Sequence, residues 1–159
     1  MTGALWLAAI GSAFGASRPL VASIALTTIV IAALLKLCYW HAIDKAPPTS
    51  TVGTATGLGV FGEVRPFEAP HTSENYLLKE MGFRIARKHA AKLRKIAIMG
   101  AFVLPLILTV FSFSASGWFG IVAVFLAAPI ATVGVAVERW LFFAEAKHTV
   151  TLYYGTTGA

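Results

Sequence analysis

Charge is scarce in this chain, and cysteine is scarcer. Asp, Glu, Lys and Arg make up 13% of 159 residues and only seven are acidic, whereas charged residues are about a quarter of an ordinary soluble domain. The one cysteine, Cys38, excludes an internal disulfide and a cysteine-ligated metal cluster; it reads as a small apolar residue near a span end. No basic segment precedes the first apolar run, Met1 to Ala16, so that run lacks the form of a secretory signal. No nucleophile stands with a plausible base, and no carboxylates pair as hydrolases require, so catalysis within this chain alone is not expected.

What fills the chain instead is apolar. Hydrophobic residues are 57% of the sequence and the mean hydropathy is +0.75, which points to the bilayer as solvent. The pattern implies an all-α, polytopic transmembrane bundle with three full spans, one partial N-terminal span, and a long polar connector ending in a basic amphipathic helix. The expected divisions are 1–40 for the partial and first full spans, 41–72 for an irregular connector, and 73–95 for the basic helix. A transmembrane hairpin over 96–137 and an interfacial tail over 138–159 complete them.

Gly3 to Ala16 reaches roughly 21 Å as a helix, short of a hydrocarbon core of about 30 Å. It reads as the tail of a span, with a re-entrant or interfacial helix as the alternative. Ser17-Arg18-Pro19 breaks the chain and opens a new helix. Pro19 to Leu35 is uncharged for seventeen residues, after which Lys36 can snorkel beside Tyr39, Trp40 and His41. Ile96 to Phe113 gives eighteen uncharged residues, with a kink expected at Pro105. Ser114 to Gly117 is a tight turn, and Gly117 to Val137 is the clearest span, twenty-one residues long. Within it Ala127, Ala128, Ala131 and Gly134 are spaced to let a neighbouring helix approach closely.

The polar connector holds most of the charge. Nine of the thirteen Lys and Arg residues lie between His41 and Lys95. Pro66 and Pro70 keep the chain extended before Thr72 or Ser73 caps a helix. On that helix Arg84, Arg87, Lys88, Lys92, Arg94 and Lys95 fall within an arc of roughly 160°, opposite Ile85, Ala86, His89, Ala90 and Leu93. A net charge of +6 beside apolar spans signals anionic head groups and topology rather than nucleic acid, and the positive-inside rule puts the connector and the C-terminus in the cytoplasm.

Gly57, Gly59 and Gly62 match G-x-G-x-x-G, but no βαβ pattern surrounds them, and a nucleotide site is not expected. None of the four histidines, His41, His71, His89 and His148, lies inside an uncharged span, so haem is not expected either. His41 stands at a membrane interface, where a titrating side chain could serve a quinone head group or simply anchor the helix. Glu138 and Arg139, the other ionisable pair at a span end, read first as an interfacial ion pair.

The stretch VRPFEAPHTSENYLLKEMGFRIARKHAAKLRK, followed by two spans and then ERWLFFAEAKHTVTLYYG, resembles the C-terminal half of the dimethyl sulfoxide reductase membrane-anchor family. The Pro-His-Thr before a tyrosine-containing helix, the MGFRIARKHA core and the TLYYG end carry the likeness across most of Val64 to Gly155. It implies an anchor subunit, truncated or split, of a complex in the bacterial inner membrane. An iron–sulfur electron-transfer subunit and, through it, a molybdopterin catalytic subunit would dock on the anchor, and menaquinol would be oxidised. The iron–sulfur clusters and molybdopterin would belong to those partners. By this resemblance the loop from Arg65 to Lys95, with Arg65, Glu68, His71, Arg84, Arg87, Lys88 and Lys92, would dock the iron–sulfur subunit; His41, Glu138 and Arg139, from their place at the span ends and not from the family, are the residues that would lie near a shared menaquinol site. The histidine and acidic residue that the family links to quinol belong to its N-terminal half and map onto no position here. Catalytic partners exported in many relatives would put the docking loop outside, against its charge. Two other readings compete: a lipid-binding or assembly protein whose basic arc grips anionic head groups, and the anchor of a related quinol-coupled reductase with another acceptor.

Overall fold

The computed structural model describes residues 1–47, 49–65, 67–68, 83–115, 117–146 and 152. Among these the chain is helical: α1 (Thr2–Ala13), α2 (Arg18–Lys45), α3 (Val52–Thr56), a 3₁₀ turn (Leu58–Phe61), α4 (Arg84–Lys88), α5 (Ala90–Ile98), a π turn (Met99–Val103), α6 (Leu104–Ser114) and α7 (Trp118–Glu145). Three stretches, Arg18–Lys45, Ala90–Ser114 and Trp118–Glu145, are long and apolar enough to cross a membrane, as expected of a multi-pass membrane protein. The chain divides into two units, Met1–Asp44 with Ala90–Leu141, and Lys45–His89 with Phe142–Ala159.

In the first unit α1 stops where its sequence changes. Phe14 ends the helix, Gly15 takes φ 87°, and the Ala16 N–H returns to the Gly11 carbonyl at 2.8 Å. This is a Schellman closure, which needs a residue without a Cβ at the left-handed position. Leu5, Ala8 and Ala9 of α1 are buried against Val21, Ala25 and Ile29 of α2 and Val124, Ala127, Ala128 and Ala131 of α7. In a bilayer such packing gains dispersion energy rather than escape from water, so small side chains that let backbones approach are favoured. The Trp6 indole N–H donates to Thr132 Oγ1 at 3.2 Å, and its ring meets Phe125 edge-on. At the start of α2, Arg18 donates to the Gly117 carbonyl at 2.7 Å, tying that end to the turn before α7.

α2 runs about ten residues beyond the apolar stretch, so His41 to Lys45 belong to it and not to an irregular connector. Nothing between Ala42 and Lys45 forbids a helix, and the break comes only at Pro47. α7 likewise continues past Val137 through Glu145, so the first part of the expected interfacial tail is span-continuous helix. Pro129 sits inside α7.

The second span joins the basic segment without a gap, α5 leading through the π turn into α6. Pro105 has no N–H to return to Ala101, and the expected disturbance takes the form of a π turn just before it, in which the Leu104 N–H reaches back five residues to Met99. That turn also keeps the helix in phase. Ala97, Ala101, Pro105 and Thr109 are all buried, at steps of four. On a regular α-helix each such step drifts by about 40°, roughly 120° over three, and a turn that takes up one extra residue cancels most of it. The buried Thr109 and Ser112 hydroxyls donate to the carbonyls of Pro105 and Thr109 at 2.7 and 2.6 Å, leaving no unpaired hydroxyl there.

The small residues singled out on α7 are where helices meet. Ala127, Ala128 and Ala131 are fully buried, and Gly134 faces Gly100 of the π turn so closely that a Cβ on Gly134 would overlap the Gly100 and Ala101 backbone.

In the second unit α3 opens on a capping box, Thr51 and Thr54 exchanging side-chain and backbone hydrogen bonds. The connector is therefore partly helical. Gly57 and Gly59 flank the start of the 3₁₀ turn, with no strand among the described residues to form a phosphate loop. Phe83 adopts φ 43°, ψ 41°, α4 begins at Arg84, and His89 closes it before α5. Over the described residues the expected single basic helix is thus two helices, parted at His89. Its start near Ser73, His71, His148, and the tail beyond Ala146 apart from Leu152 lie outside the described residues.

Candidate functional site

Two charged clusters form where α2 ends, α5 begins and α7 leaves its apolar stretch. In the first, Lys36 of α2 and Glu138 of α7 make an ion pair, and Glu138 is only 4% exposed. Arg139 adds a second contact, Nε to Glu138 Oε2 at 3.1 Å. The expected Glu138–Arg139 pair is present, but the partner that matters for a buried carboxylate is Lys36. A carboxylate taken from water without a cation is costly, and one matched by two is tolerated. The Lys36 ammonium also lies over the rings of Tyr39 and Trp40, 4.3 and 4.9 Å from their centroids.

In the second cluster Arg94 of α5 grips Asp44 of α2 with both terminal nitrogens, at 2.7 and 3.0 Å. This fork-to-fork geometry fixes direction as well as distance. The Arg94 guanidinium lies 5.4 Å from the Trp40 ring centroid, so the buried Trp40 is flanked by a cation from each cluster.

Between α2 and the second span runs an open apolar groove of about 160 Å³. Ala33, Lys36, Leu37 and Trp40 line one side and Ile98, Phe102 and Val103 the other. Phe102 and Val103 lie in the π turn, a distortion often found at functional sites.

Of the residues expected to dock a partner, Arg65 is exposed and paired with Glu63, its NH2 and Oε2 2.9 Å apart, and Glu68 is exposed. Arg84 opens α4. Arg87 is occupied: its Nε and NH2 donate to the carbonyls of Ala144 and Ala146, each at 2.9 Å. It closes the last turn of α7, where carbonyls lack helical partners. Arg87→Gln should cost about 1 kcal/mol and speed amide hydrogen exchange at the end of α7 while leaving α2 unchanged. Lys88 and Lys92 are exposed. Of the residues expected near quinol, His41 is exposed on α2, Glu138 is buried and Arg139 is largely in solvent.

Lys36, Asp44 and Arg94 were not singled out as a site, and a sequence gives little signal for them. The Lys36–Trp40 spacing of four does place a cation beside a ring on one helix face, but pairing across helices is not written in either segment alone. Among the described residues no three His, Cys, Asp or Glu side chains gather as metal ligands. No protein-family model, no curated protein and no solved structure matches the chain.

Proposed function

We propose that this chain is a membrane-anchoring subunit, or part of one, in a quinol-coupled oxidoreductase complex of the dimethyl sulfoxide reductase kind. In the bacterial inner membrane it holds an iron–sulfur electron-transfer subunit and, through it, a molybdopterin catalytic subunit. The resemblance over Val64 to Gly155 supplies the class of complex.

The observation that carries the anchoring role is one-sidedness. Lys36, Asp44, Arg94, Glu138 and Arg139 gather at one end of the spans through the Lys36–Glu138 and Arg94–Asp44 pairs, while Arg18 stands at the start of α2. A peripheral protein meeting that end finds oriented charge, which gives specificity and speeds encounter. Lys92 is exposed there for a partner, and Lys88 on α4 is exposed as well, whereas Arg87 serves α7. Electrons from menaquinol pass to the iron–sulfur partner, with His41, Glu138 and Arg139 as this chain's share of the quinol-facing polar groups.

Charge reversal tests the docking. Lys88→Glu with Lys92→Glu should lower retention of the iron–sulfur subunit on washed membranes by at least tenfold, since rim charges opposed to a complementary surface cost several kcal/mol, while the anchor itself still inserts. Undiminished retention would remove these lysines from the interface.

A further inference from the structure

We infer that the groove between α2 and the second span is a phospholipid site. It takes one acyl chain of an anionic lipid along Leu37, Phe102 and Val103 and places the phosphate on Lys95, at a cationic rim to which Lys92 adds charge. This goes beyond the docking of an iron–sulfur subunit and stands without it.

The hollow has the right character for a hydrocarbon guest. It measures about 160 Å³, comparable to the roughly 150 Å³ apolar cavity that stays dry and takes up benzene. Six of its seven lining residues carry no charge, and the seventh, Lys36, has its ammonium engaged by Glu138 and by two aromatic rings. A ring ligand such as a quinone would want donors for its oxygens inside the hollow, and the lining offers none that is uncommitted apart from the Trp40 indole edge.

The charge lies outside the groove, where a head group would be. Arg94 and Lys95 precede Ile98 by four and three residues, so they stand one helical turn beyond it on the same side of α5. Across from them Trp40 marks the interfacial level at which tryptophan collects. Around this end Lys36, Lys92, Arg94, Lys95 and Arg139 face two carboxylates, Asp44 and Glu138, leaving an excess of three positive charges. An apolar trough followed by a cationic rim is the complement of an acyl chain followed by a phosphate. A zwitterionic lipid would bring the chain without the net charge.

The full chain in nanodiscs of phosphatidylcholine, doped with phosphatidylglycerol carrying an acyl diazirine, provides the test. Photoadducts mapped by mass spectrometry should concentrate on Leu37, Phe102 and Val103, and the same probe on phosphatidylcholine should label these positions far less. Lys95→Gln should lower the phosphatidylglycerol adducts roughly fivefold, and Lys95→Gln with Lys92→Gln roughly thirtyfold. Val103→Trp should abolish them by filling the groove. Equal labelling by the two lipids overturns the proposal, as do adducts spread evenly over lipid-facing residues such as Phe125 and Val133. Displacement of the probe by a soluble naphthoquinone but not by excess phosphatidylglycerol would overturn it in favour of a ring ligand. The comparison of the two lipids uses the unaltered chain, so a variant that fails to fold does not leave the question open.

Discussion

Lys36→Met should destabilise the folded chain by about 3 kcal/mol, the lower end of the cost of stranding a buried charge. Glu138 is 4% exposed, and without Lys36 its remaining cation is Arg139, which reaches Oε2 and is itself mostly in solvent. The loss comes from the unpaired carboxylate more than from the missing lysine. Lys36→Met combined with Glu138→Gln should therefore recover most of it, because a neutral amide is far cheaper to bury. Equilibrium unfolding in a bilayer or mixed micelles, read for both single variants and the double, gives the coupling energy directly. If the double variant is no better than Lys36→Met alone, the pair contributes little and the helices are held by packing.

Gly134→Val should be at least as damaging, about 3 kcal/mol, and by a different route. Any Cβ at position 134 meets the Gly100 and Ala101 backbone, and backbone cannot swing aside as a long side chain can. Gly100→Ala should be milder, about 1 kcal/mol, since the added carbon would stop 3.2 Å from the Gly134 Cα. The same unfolding measurement ranks the two. Equal, small effects would mean that α7 and the second span can separate locally at little cost. Both glycines stand on apolar helices, so either variant should still enter the membrane.

The three spans and the close packing of Ala127, Ala128, Ala131 and Gly134 were legible because both depend on local composition: twenty apolar residues need a bilayer, and small residues in a row need a neighbour. Helix ends were not. Apolar stretches stop at the first charge, but α2 continues through Lys36 and Asp44 and α7 through Glu138, because these charges find partners across helices. The basic arc was legible as a pattern and misleading as a surface. Its 3.6-residue periodicity assumes an unbroken helix, and the turn at His89 interrupts it between Lys88 and Ala90. Arg87 then meets the end of α7 while Arg94 meets Asp44. Pro105 announced a disturbance but not its kind, since a kink and an extra-residue turn both answer the missing N–H.

The π turn has a consequence for what this chain can lose. Removing one residue between Met99 and Val103 would let ordinary α-helix take its place with the flanking turns still in register, whereas straightening the turn at full length would swing everything before it by about 100° relative to α6. That straightening, and not the deletion, would carry Arg94 away from Asp44 and Ala97 out of line with Thr109. One residue inside the turn is therefore dispensable to the register that joins Arg94 to Thr109, and what that register cannot lose is the turn itself while every residue is kept.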